Sequence, residues 1–277
     1  MSEPRRTGTT RAARDGRKRT MEKYGDTLFA LDADEEARLD LLCRIFDPET
    51  TRLLAELGTR PDARCLEIGA GSGSIARWWC EHLPDGEVVA TDVETSLLER
   101  HQRPGLTVLR HDVVRDAFPP ESFDVIHARL VLSHLRERDE VLRRMRNWLR
   151  PGGVVLVESF GWFPLEGSPN PVYRRVLQQW SDLLQEVVGT DSGWSRRQPG
   201  SLLELGYRDV GARTGTWHLR GGTELAEFWR RGVAMSARRL LADGRVAEDE
   251  LAEFDRMLRD PGFWDLAPAF VQAFGHR

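Results

Sequence analysis

Glu67-Ile68-Gly69-Ala70-Gly71-Ser72-Gly73 carries the densest chemistry in this chain of 277 residues, and Asp92 is its partner. Three closely spaced glycines let the backbone turn tightly and approach a ligand. An acid at the end of the next strand can accept from both hydroxyls of a ribose. Spacing separates one nucleoside from another. A dinucleotide fingerprint, G-x-G-x-x-G, needs its third glycine at position 74, where this chain has Ser74; here it comes one residue early, at Gly73. Glu67 stands two residues before the first glycine. A carboxylate there repels a pyrophosphate and attracts an ammonium group. The pattern E-x-G-x-G-x-G therefore favours S-adenosylmethionine (SAM), which has no phosphate. By itself such a turn is also compatible with a plain strand-to-helix connection that binds no ligand, so the elements around it matter.

Those elements follow in a regular order. Residues 64–68 read as a buried strand, and a helix begins at Ser74. A second strand, 87–91, ends on Asp92 and is followed by Val93. A short apolar strand at 106–109 leads to His111-Asp112-Val113, where an acid suits an adenine amino group and the next N–H suits the ring. Residues 123–127 form another strand, followed by Ala128, Arg129 and, five residues later, His134. Val141, Leu142, Met145, Trp148 and Leu149 recur at helical spacing over 138–149. Arg150-Pro151-Gly152-Gly153 breaks that helix, and 154–158 is a strand again. In an open parallel sheet the ligand sits beyond the carboxyl ends of the strands. That rule gathers residues 69–73, Asp92, Asp112, Ala128, Arg129 and 158–160 around one crevice.

In sum, LEIGAGSGSIARWW, VVATDVE, RHDV, FDVIHARLVLSHL and LRPGGVVLVES resemble the successive motifs of class I SAM-dependent methyltransferases, most nearly their bacterial, actinobacterial-type small-molecule branch. The resemblance spans about residues 28–160, and AFVQAFGHR at the end is similar to the branch's closing strand. It implies an α/β, Rossmann-like, seven-stranded, mostly parallel sheet with an antiparallel last strand. It also implies SAM as cofactor, held by Glu67, Gly69, Ala70, Gly71, Gly73, Asp92, Val93, Asp112, Val113, Ala128 and Arg129. The acceptor is not implied, because one fold hosts many chemistries.

Composition narrows the classes. Forty basic against 44 acidic residues give a net charge of −4, so no global basic field invites nucleic acid. Three cysteines without metal-ligand spacing fit a reducing cytoplasm, and no metal site is expected. No apolar run is long enough for a membrane span. Residues 1–23 hold eight basic and three acidic residues with little apolar content, and read as a disordered basic tail. Residues 24–60 read as cap helices. Leu39, Leu42, Cys43 and Phe46 make one stripe, then Asp47-Pro48 reads as N-cap and first position of a second helix ending at Gly58. Tyr24 and Phe29 precede them and are placed to reach the cofactor or acceptor.

The domain proper is expected over 61–277, with helical lid insertions near 160–195 and 217–260. Six of nine tryptophans fall after residue 159, which points to an apolar or aromatic acceptor pocket built from Trp162, Phe163, Trp180, Trp194 and Trp229. The same residues could simply form the lid's own core. His134 is the candidate catalytic base, since an imidazole titrates near neutrality. Arg129 suits the methionine carboxylate or an acidic acceptor, Glu158 an acceptor or a lid residue, and Arg196-Arg197 an acidic acceptor. His127 reads as a buried, hydrogen-bonded side chain. The expected function is methyl transfer from SAM to O or N of a small specialised metabolite in the cytoplasm, without nucleic-acid or membrane partners, and a homodimer is compatible with it. Other chemistry on the same scaffold, a peptide or RNA methyltransferase, and a non-catalytic SAM-binding protein stay open.

Overall fold

A computed structural model describes residues 32–277. Tyr24, Phe29 and the basic segment 1–23 lie outside the described residues.

The chain opens with a long helix, α1 (Ala33–Glu56), whose N-cap Asp32 accepts from the N–H groups of Asp34 and Glu35. The expected break at Asp47-Pro48 does not occur; Pro48 lies inside one continuous helix. A mid-helix proline forfeits a backbone hydrogen bond and crowds the preceding turn. The helix survives because its far half is anchored: Phe46, Leu53 and Leu54 are fully buried, and Asp47 and Thr50 bond side chains of the sheet.

Alternation of strand and helix follows: β1 (Arg64–Ile68), α2 (Ser74–His82), β2 (Glu87–Asp92), the short α3 (Ser96–Glu99), β3 (Leu106–Arg110), β4 (Phe123–Arg129), α4 (Arg138–Trp148) and β5 (Leu149–Gly161). Then come α5 (Pro171–Val187), α6 (Trp194–Glu204), β6 (Arg208–Gly215), β7 (His218–Arg220), α7 (Glu224–Ala242), α8 (Glu248–Arg259), β8 (Trp264–Leu266) and β9 (Ala269–His276). The main sheet has seven strands in the order β3-β2-β1-β4-β5-β9-β6. All pair in parallel except β9, which runs antiparallel to both β5 and β6. The order reverses between β1 and β4, and that switch point is where an open sheet leaves its crevice.

Two local readings change. Arg150-Pro151-Gly152-Gly153 does not separate α4 from a strand; β5 begins at Leu149, paired with Phe123, and an irregularity between Phe123 and Val125 absorbs the proline and glycines. β7 and β8 form a separate two-stranded sheet that joins the start of α7 to the end of α8. Both segments are too short to give a period in the sequence.

Beneath one face, α2 packs Ile75, Ala76 and Trp79 with Leu53 and Leu54 of α1. The other face is covered by α4 and α6. A third cluster joins α1, α5, α7 and α8 around Phe46, Tyr173, Trp180, Phe228, Trp229 and Phe254. This helical layer adjoins the carboxyl end of β5, where Phe160 and Trp162 pack against it.

Candidate active site

At the end of β1 the chain turns through Gly69, Gly71 and Gly73 with φ of 65°, 54° and 74°. Only glycine adopts this left-handed backbone without strain. A Cβ on Gly69 would lie 2.2 Å from Cγ2 of Val131, whereas one on Gly71 would meet nothing within 4 Å. Gly69 thus lets the loop after β4 pack close, and Gly71 leaves space in front of the turn. Asp92, at the end of β2, accepts from the Gly71 N–H at 2.9 Å and from the Glu94 N–H at 3.2 Å. Burial raises its carboxyl above the ordinary range, opposed by these N–H donors. Turn and acid are therefore one preorganised unit.

Beside them, Val93, Arg110, His111, Asp112, Arg115 and Asp116 line an open cleft of about 390 Å³. Val93 is 46% exposed there. Asp112 accepts from the Val114 N–H at 3.1 Å, and the Val113 side chain is buried beside it. His111 stacks on Phe118 with ring centroids 4.6 Å apart, and neither ring nitrogen has a partner.

Under the turn lies a buried charged network. Glu67 on β1 neighbours His127 on β4, with Oε1 3.8 Å from Nδ1. Nε2 of His127 is 3.0 Å from Glu158 on β5, which also accepts from Thr50 at 2.9 Å and from Gln272 of β9 at 2.6 Å. Arg129 bonds Asp47 of α1 at 2.8 Å, and Asp47 accepts from Ser74 at 3.2 Å. The two glutamates move in opposite directions. Burial pushes Glu67 up to about 7, because His127, Arg129 and the Ala76 N–H offset the loss of water only in part. Burial also opposes ionisation of Glu158, but its bond to His127, the charges of His127 and Arg129, and Gln272 hold it below the ordinary value. Oε2 of Glu67 is buried without a partner.

Arg129 is thus committed to α1 rather than left open toward a ligand. Ala128 is buried in the core, so its side chain does not reach the crevice. Glu158 holds α1 and β9 in place, and His127 is buried as the sequence implied. Asp47, Thr50 and Gln272 were missed. Asp47 followed by proline looks like a helix cap, which concealed its role as an ion-pair partner.

His134 sits on a 3-10 turn, Leu132–His134, with Nδ1 2.8 Å from Thr190 Oγ1. Burial and the charges of Arg38 and Arg138 push it down to about 3. The ring is only half-buried, yet this burial and the two nearby cations favour the neutral imidazole over titration near neutrality. Of the expected pocket aromatics, Trp162, Trp180 and Trp229 come together, with centroids 5.7–6.2 Å apart. Trp194 goes to the α4–α6 side of the sheet, under the guanidinium of Arg138. Arg197 pairs with Asp191 and Arg196 stacks on Phe163 at 4.9 Å, and both side chains are largely exposed.

Residues 66–155 match the methyltransferase domain family. This chain carries a methyltransferase domain. Its fold is that of the class I SAM-dependent methyltransferases. The chain is 32% identical over 148 residues to a ubiquinone/menaquinone biosynthesis C-methyltransferase UbiE of Laribacter hongkongensis, covering 50% of this chain and 59% of that protein. It is 35% identical over 145 residues to methyltransferase str2 of Strobilurus tenacellus, covering 51% and 52%. The matched stretch spans just over half the length of these curated relatives. Among solved structures, phosphoethanolamine N-methyltransferase 2 of Haemonchus contortus, in complex with phosphomonomethylethanolamine and S-adenosylhomocysteine, superposes with a TM-score of 0.57 at 17% identity, covering 88% of this chain and 57% of that one. The YcgJ protein of Bacillus subtilis gives 0.55 at 18% identity, covering 82% and 97%. At such identities the likeness is one of fold.

Among the described residues of the methyltransferase domain and its helical layer, no three His, Cys, Asp or Glu side chains group as a metal site. None of the described helices is long and apolar enough to cross a membrane.

Proposed function

We propose that this protein transfers a methyl group from SAM to O or N of a small, apolar or aromatic metabolite in the cytoplasm. One observation carries the reading: beneath a glycine turn open at Gly71, the buried Glu67 carboxylate has an oxygen without a partner. Its surroundings hold three carboxylates, those of Asp47, Glu67 and Glu158, against the single guanidinium of Arg129 and the imidazole of His127. An acid surplus disfavours a phosphate-bearing nucleotide and suits a cofactor with a sulfonium and an ammonium group.

SAM supplies an activated methyl group on a good leaving group. The chain's own part is then to bind, align and keep water out. Asp92 accepts from the ribose hydroxyls while bracing the turn. Asp112 and the Val113 backbone hold the adenine in the cleft that Val93 walls. Glu67 faces the ammonium end. His134, neutral and fixed by Thr190, serves the acceptor as a hydrogen-bond partner; an imidazole pushed down to about 3 is a weak base. Transfer to carbon is a second reading, favoured by the C-methyltransferases among the curated relatives.

Methyl-labelled SAM offered with panels of phenols, amines and quinols tests the reading. Label in a methylated product supports it. SAM consumed with no label transferred would point to other chemistry on the scaffold.

A further inference from the structure

The third cluster holds an anomaly. Trp229 on α7 is 1% exposed, and its ring lies 4.8 Å from Phe160, 5.1 Å from Phe228, 5.7 Å from Trp162 and 6.2 Å from Trp180, centroid to centroid. The indole N–H of Trp180 donates to Ser236 Oγ at 3.0 Å. That of Trp229 is buried without any hydrogen-bond partner, as are those of Trp79 and Trp194 in the other two clusters, but Trp229 is the one packed against the half-buried Phe160 and Trp162. Buried tryptophans normally satisfy this donor, because leaving one unmet is costly. Phe160 and Trp162 are only half-buried and stand at the carboxyl end of β5. A parallel sheet leaves its ligand crevice at that end.

We propose that Trp229 donates its indole N–H to an oxygen of the methyl acceptor, and that the acceptor is an uncharged planar ring such as a phenol, quinone or aryl ketone. The proposal rests on the methyl-transfer reading and specifies its acceptor. The rings around Trp229 supply apolar area and edge-to-face contacts, which select a flat partner. Arg38, whose guanidinium lies 5.4 Å from the Phe228 ring centroid, is held by both oxygens of Glu35 at 2.7 and 2.8 Å. A site with one unmet donor discriminates strongly against an analogue that lacks the matching oxygen.

The test uses the full chain saturated with S-adenosylhomocysteine, with 2-naphthol and naphthalene as probes. Indole ¹H–¹⁵N resonances report binding, and the Trp229 signal is the one absent from Trp229→Phe. We expect 2-naphthol to bind at least about tenfold more tightly than naphthalene and to shift the Trp229 signal. Trp229→Phe should abolish the preference while keeping affinity for S-adenosylhomocysteine, which reports that the variant is folded. The proposal is overturned if the preference survives in Trp229→Phe or if neither probe binds. Calorimetry with S-adenosylhomocysteine separates the two levels. Absent binding defeats the methyl-transfer reading, whereas binding without ring discrimination defeats only the role of Trp229.

Discussion

Glu67→Gln should change how stability depends on pH. Glu67 is 4% exposed and faces His127 and Arg129 from β4, Asp47 from α1 and the Ala76 N–H from α2. Moving this carboxyl from 4.5 to about 7 means that its ionised form costs about 3 kcal/mol, at about 1.4 kcal/mol per tenfold change. The sign follows from linkage. The folded state holds this proton more tightly than the unfolded chain, so the contribution is fully present below about pH 4.5 and is lost as pH rises through about 7. Glutamine never ionises. Glu67→Gln should match the wild type near pH 4 and exceed it by about 3 kcal/mol at pH 8, measured by urea unfolding of both proteins. Comparing the two at each pH cancels the titrating groups that do not face Glu67. A cationic cofactor should favour the ionised form, so SAM binding to the wild type should release a proton near pH 6 and strengthen toward pH 7. Glu67→Gln should bind more weakly and without that trend. A difference in stability that stays constant from pH 5 to pH 8 would refute the account of Glu67.

Asp92→Ala should weaken SAM binding at least about tenfold, since charge-assisted hydrogen bonds contribute about 1.5–3 kcal/mol each; unchanged affinity by calorimetry would remove Asp92 from the site. His134→Ala should lower turnover by a factor that is the same across pH 5–9, because the imidazole stays neutral throughout. A ratio of variant to wild-type rates that bends near pH 6.5 would show that His134 titrates as an ordinary histidine.

Most of the sheet was legible because its strands are buried on both faces and read as apolar runs. The glycine turn and Asp92 were legible for a related reason: their chemistry depends on spacing within one strand–helix–strand unit. The α1 contacts were not. Thr50 meets Glu158 across 108 positions, and Gln272 meets it across 114, so no local pattern records either. Asp47-Pro48 carried a true local signal that the ion pair with Arg129 overrode. His134 shows the same limit in electrostatics. Its position could be read, but its partial burial and the nearness of Arg38, on another element, could not.

The most direct test of the central claim is calorimetric titration of the protein with SAM and, separately, with NAD. The acid surplus beneath the glycine turn predicts SAM binding in the low-micromolar range, about −8 kcal/mol, and no binding of NAD. Binding of NAD without binding of SAM would contradict it.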